Sequence, residues 1–158
     1  MDIQNYPAVD LQERLSKVYC PLINGITHAN GIVNRLAIES QAQQGEPMRK
    51  YWIEQSNQTS ISELQSTNSL QWTSFNELNE EPNVQEDFTL LLGEGGWGSE
   101  GFVALLQLTT RKFLWIAFFD DSNPFTKARF ENGKIIAVST HGNEWTFSYP
   151  TPSLLSIV

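Results

Sequence analysis

The sequence predicts an α+β fold in a single domain spanning residues 1–158: a helical N-terminal half packed on an antiparallel β-meander of about five strands. Three observations predict it. Apolar residues recur at helical spacing in two stretches of the first half. Residues 113–119 place apolar side chains on both faces of a strand. Asn132-Gly133 sits between two β-type runs.

Taken in order, Pro7 suits the first turn of a helix in which Leu11, Leu15, Val18 and Tyr19 share a face, and Pro21 stops it. Asn24-Gly25 marks a turn. A second amphipathic helix is expected from about Asn30 to Gln43, with Ile32, Val33, Leu36 and Ala37 as its buried stripe and Gly45 and Pro47 closing it. Met48–Ile53 reads either as a third helix or as a short strand. Residues 55–69, rich in Ser, Thr, Gln and Asn, read as a polar loop or a poorly packed helix. Trp72, Phe75 and Leu78 return to helical spacing.

The pattern changes character at Asn79–Asn83. Strands are expected at Phe88–Leu92 and Phe102–Leu108. In Phe113–Phe119, residues Phe113, Trp115, Ala117 and Phe119 alternate with Leu114, Ile116 and Phe118, so this strand should be central and covered on both faces. Phe125–Glu131 and Lys134–Thr140 flank Asn132-Gly133, a pair suited to the two positive-φ positions of a tight hairpin. His141-Gly142-Asn143 turns the chain into a last strand, Glu144–Tyr149, ended by Pro150 and Pro152.

Composition narrows the function classes. With 40% apolar residues, five Trp and nine Phe, the chain must build a dry interior. Its first residues, Met1–Asn5, lack a basic region followed by an apolar stretch, and its longest apolar run, Phe113–Phe119, is too short to span a bilayer. A cytoplasmic protein without membrane partners is therefore expected. Cys20 is the single cysteine, so no internal disulfide can form. A net charge of −8 argues against non-specific nucleic-acid binding, which needs Lys and Arg against phosphates. That charge is concentrated: no basic residue lies between Lys50 and Arg111, while Glu54, Glu63, Glu77, Glu80, Glu81, Glu86, Asp87, Glu94 and Glu100 do. Such a stretch is either a solvated acidic surface or an electrostatic docking surface for a basic partner.

No motif carries catalytic chemistry, and the protein is expected not to be an enzyme. Gly93-Glu94-Gly95-Gly96-Trp97-Gly98 matches G-x-G-x-x-G, but the residues that follow read as a strand where a dinucleotide fingerprint needs a helix. Glu94 and Glu100 also place negative charge where a phosphate would sit. The segment reads as a strand-to-strand connection whose Trp97 either folds back into the core or is an exposed contact. Asp120-Asp121-Ser122-Asn123 lacks the Gly and terminal Glu of a calcium loop and reads as a turn. His28, His141 and Cys20 show no metal-ligand spacing, so neither metal nor cofactor is expected.

The order of features from Gly95 to Pro150 is similar to small immunity proteins of bacterial contact-dependent inhibition and polymorphic-toxin systems. The resemblance rests on Gly95–Leu105, the strand Leu114-Trp115-Ile116, Ser122-Asn123-Pro124-Phe125, Ile135-Ile136-Ala137 and a closing Trp-containing strand before Pro150. It implies a non-catalytic protein-binding module that neutralises one cognate bacterial toxin domain, a basic protein and in many such systems a nuclease, by occluding its active site with an acidic surface. Under that resemblance the contact residues are Glu94, Trp97, Glu100, Asp120, Asp121 and Asn123, with Glu80 and Glu81 behind them. The alternative is a small-ligand-binding or accessory domain, with a pocket between the apolar sheet face and the helices.

Overall fold

Twelve strands and two six-residue helices account for most of residues 10–158, the part of the chain that the computed structural model describes. The first helix, α1 (Leu11–Ser16), is capped by Asp10, whose carboxylate accepts from Glu13 N at 3.0 Å. After it come β1 (Tyr19–Pro21), β2 (Gly25–His28), β3 (Ile32–Ala42) and β4 (Arg49–Ser60). Ser60 then caps α2 (Ile61–Ser66), accepting from Glu63 N at 3.1 Å. Strands β5 (Trp72–Asn83), β6 (Phe88–Gly95), β7 (Gly101–Gln107) and β8 (Phe113–Phe119) follow. These eight strands form one antiparallel sheet in the order β1-β5-β6-β7-β8-β2-β3-β4. The remaining four, β9 (Phe125–Glu131), β10 (Lys134–Ser139), β11 (Glu144–Ser148) and β12 (Ser153–Ile157), form a second sheet in the order β12-β11-β10-β9.

The fold is therefore predominantly antiparallel β, and the expected α+β class with a helical N-terminal half is incorrect. The expected second helix is strand β3. Its apolar stripe misleads because positions i and i+4 share a face in a helix and in a strand alike, so Ile32/Leu36 and Val33/Ala37 fit both. What selects the strand is an eleven-residue ladder with β4, from Ile32↔Ser60 to Ala42↔Arg49, which no local pattern announces. The expected first helix keeps only Leu11 and Leu15 as buried residues. It ends where Val18 adopts a φ of 62°, and Tyr19 and Pro21 belong to β1. Pro7 lies outside the described residues. Trp72, Phe75 and Leu78 lie on strand β5, whose register shifts between Glu77 and Asn79, so the change of character at Asn79–Asn83 falls inside a strand. The expected meander is divided: β6, β7 and β8 pair in the large sheet, and the chain from β9 onward builds the small one.

The C-terminal strand positions agree with the expectation within a few residues, apart from β12. Asn132 and Gly133 have φ of 51° and 74°, both positive as the tight β9–β10 hairpin needs. Strand β8 lies inside the large sheet and is covered on both faces. Toward the helices, Ile116 and Phe118 pack with Leu91, Phe102 and Ala104 against Leu11 and Leu15 of α1 and Ile61 and Leu64 of α2. Toward the small sheet, Trp115, Ala117 and Phe119 pack with Leu90, Leu92, Val103 and Leu105 against Phe125, Ile135, Trp145 and Phe147. A register shift between Leu105 and Leu106 moves Phe113 from the Trp115 face to the helix face. The layers are thus helices, large sheet and small sheet.

Phe102 is fully buried and its ring centroid lies 4.7 Å from that of Phe75. Phe102→Ala is expected to lower stability by about 3–5 kcal/mol in urea denaturation, because the two covering layers cannot close over the lost ring.

Candidate functional site

Five of the residues singled out by sequence meet at one corner of the molecule, formed by the β6–β7 turn and the β8–β9 turn. The two turns are bonded to each other. Ser99 Oγ donates to Asp120 O at 2.9 Å, and Asn123 N donates to Ser99 O at 2.8 Å. Asn123 takes a φ of 64°, which lets the second turn bend back over Gly101. A Cβ at Gly101 would collide with the Asn123 carbonyl oxygen, so glycine is required for this crossing.

Glu100 is buried at 4% exposure and cannot itself touch a partner. Its carboxylate accepts from Trp97 N at 3.0 Å, and Glu100 N donates to Trp97 O at 3.0 Å, so the side chain closes the turn from beneath. A carboxylate inside the fold needs such a donor. It also needs room, which Gly95 supplies: a Cβ there would collide with the Glu100 carboxylate. The same carboxylate lies close enough to the buried Cys20 to add to the effect of burial, and together they push the thiol pKa up. Gly95, a glycine of the G-x-G-x-x-G-like segment, thus has a packing role at the end of a strand that leads into an antiparallel neighbour.

Trp97, held by these bonds, is 75% exposed. Of the two positions open to it in the sequence reading, it takes the outer one.

Asp120 and Asp121 stand beside that turn, exposed, and are oriented by neutral donors. Asn24 Nδ2 donates to Asp120 Oδ1 at 3.0 Å while Asp120 N donates to Asn24 Oδ1 at 2.7 Å. Ser40 Oγ donates to Asp121 Oδ2 at 2.7 Å, and Arg49 Nε donates to Ser40 Oγ at 3.1 Å. Tyr51 OH donates to Asp121 O at 2.7 Å; burial first, then the Asp121 charge, push the phenol up to about 12. Among the described residues neither aspartate forms an ion pair. Their charges are fixed in direction and have no direct cationic partner, Arg49 standing behind the Ser40 hydroxyl.

The remaining acidic residues differ. Glu94, half-buried near the end of β6, accepts from Asn76 Nδ2 at 2.9 Å and borders the Trp97 turn. Glu80 and Glu81 lie further along β5, toward Arg111, and are not part of the corner. Glu80 receives Arg111 at 2.6 and 3.2 Å and Thr89 Oγ1 at 2.7 Å, so its charge is already matched. The sequence marks Asn24 only as a turn residue and leaves Glu39, Ser40 and Tyr51 unmarked. Asn24, Ser40 and Tyr51 reach the corner through bonds across separations of 96, 81 and 70 residues, which no local signal announces.

The described residues contain no cluster of three or more potential metal ligands and no helix long and apolar enough to cross a membrane. What the corner offers chemically is an exposed aromatic side chain on a bonded turn, beside oriented negative charge.

The Arg111 guanidinium bonded to Glu80 holds that carboxyl below the usual carboxylate value. Stability from this pair is present above the ordinary carboxylate range and is lost as pH falls through the lowered value. Glu80→Gln is therefore expected to cost under about 1 kcal/mol at neutral pH, since the pair is partly solvated. Urea titrations should show the difference from the parent vanishing in acid.

No protein-family model matches the chain, and neither a curated protein nor a solved structure matches it.

Proposed function

We propose that this chain is a non-catalytic protein-binding module whose corner, centred on Trp97, Asp120 and Asp121, engages a basic protein. The biological reading that fits best is an immunity protein that occludes the basic cleft of one cognate toxin domain. The observation that supports it is a tryptophan, 75% exposed, on a turn pinned by a buried carboxylate and standing beside two carboxylates without counter-ions. A tryptophan whose backbone is already held loses little main-chain entropy on binding, and tryptophan is a common anchor of binding energy. Unpaired carboxylates around it steer a cationic surface and reject anionic ones. Glu94 extends the rim. Asn123 and Glu100 act as supports of the turn, and Glu80 and Glu81 are set apart from the contact.

Co-purification with the C-terminal region encoded immediately upstream, at low and high salt, tests this. A stoichiometric complex that suppresses the toxicity of that region is expected. Trp97→Ala is expected to weaken it by about 2 kcal/mol or more at either salt. Asp120→Lys with Asp121→Lys should weaken it most at low salt, where the charge attraction is strongest. Absence of a complex at both salts would remove the immunity assignment. An unchanged affinity in both variants would place the interface elsewhere.

A further inference from the structure

Strand β2 begins at Gly25, opposite Arg35, whereas β3 continues to Ala42. From Leu36 onward β3 has β4 on one side and no strand on the other. Four bonds fix which backbone groups face that open side. Leu36 N donates to Asn24 O at 2.9 Å on the side of β2. Ile61 N donates to Gly31 O at 2.8 Å on the side of β4. Arg49, opposite Ala42, turns its N–H and C=O away from β3 to the Asn143 amide, at 3.0 and 2.7 Å. All agree with one alternation along β3, since the residue added at the register shift between Ala37 and Ile38 is Glu54 of β4, and the N–H and C=O of Ile38 and Ser40 point into the gap beside β3. Among the described residues no backbone bond engages them.

The gap is a groove of about 610 Å3 whose far bank is Asn24, Asp120 and Asp121, with Glu39 and Arg49 on the near side. It adjoins, through Asn24 and Ala37, a second groove walled by Leu22 and Ile23. Beneath the carboxylates a small cavity is lined by Tyr51, Phe119 and Trp145. Trp145 is 1% exposed, and its indole N–H has no acceptor among the described residues. Independent of the charges at the rim, the gap therefore offers the unpaired peptide groups of Ile38 and Ser40.

We propose that this gap receives an extended segment of the basic partner, which adds a strand beside β3 in line with β2 and seats a Lys or Arg against Asp120, Asp121 and Glu39. The proposal rests on the protein-binding reading above and names how the partner enters. Alternating peptide donors and acceptors match a polypeptide backbone and not a simple cation. About five extended residues cover the roughly 17 Å from Ala37 to Ala42. A second copy of this chain, at a net charge of −8, is repelled by the acidic rim.

Titration of the 15N-labelled full-length protein with the blocked peptide Thr-Lys-Val-Lys-Val-Thr at low salt is the test, beside the same peptide with Glu in place of Lys. The Lys peptide is expected to shift the Ile38 and Ser40 amide resonances and to slow their hydrogen exchange about tenfold. The Glu peptide should leave them unmoved. Asp121→Lys should weaken the response about tenfold, and more so as salt is lowered. Unmoved Ile38 and Ser40 amides at about 1 mM Lys peptide, or equal responses to the two peptides, would overturn the docking site. A cognate complex in which these two amides exchange at the free rate would overturn it while leaving the proposed function standing. Docking of the Lys peptide without any cognate complex would do the reverse.

Discussion

Ile116 and Phe118 point from β8 into one apolar layer while Trp115, Ala117 and Phe119 point into another, and the rest of the molecule depends on keeping both layers dry. Strands β6 and β7 share the constraint, with Leu91, Phe102 and Ala104 on one face and Leu90, Leu92, Val103 and Leu105 on the other. A single sheet cannot protect two faces. The chain meets the requirement with two short helices on one side and a four-stranded sheet on the other. Burial on this scale, at about 25 cal/mol per Å2 of apolar surface, is the main favourable term available to a chain with no disulfide.

The same constraint shapes the corner where the candidate site lies. Phe119, at the end of β8, packs on Trp145 at 4.5 Å between ring centroids, and the chain must then leave the large sheet to begin the small one at Phe125. The turn between them carries Asp120, Asp121 and Asn123, and it lies across the β6–β7 connection that carries Trp97. The candidate site is therefore where the chain passes between sheets. A turn fixed to a rigid scaffold can hold polar groups toward solvent that the layers below cannot accommodate.

Charge alone would have been a poor guide to this arrangement. The acidic stretch between Lys50 and Arg111 contributes a buried strut in Glu100 and a matched pair in Glu80, and neither presents free charge to a partner. Asp120 and Asp121, which do so, follow that stretch in sequence, and Glu94 within it is likewise held by a neutral donor, Asn76. Their distinguishing feature is the kind of donor that holds them: Asn24 and Ser40 orient without neutralising, whereas the Arg111 guanidinium neutralises Glu80.

The strands from Phe88 to Ser148 are closely legible in the sequence, because the short apolar runs of β6 to β8, the period-two alternation of β9 to β11 and the Asn132-Gly133 turn are local properties of the chain. The sequence by itself determined that β8 is covered on both faces, since no polar face exists in Phe113–Phe119. It also singled out Trp97 and the Asp120–Asn123 turn as positions of interest. Only the tertiary structure decided that the first half is β, because Ile32, Val33, Leu36 and Ala37 satisfy helical and strand periods equally and the choice lies with a ladder to β4. Only it decided that Trp97 faces outward, that Glu100 faces inward, and that Asn24, Ser40 and Tyr51 orient the aspartates. Those outcomes depend on contacts between residues far apart in the chain, and neither spacing nor composition encodes such contacts.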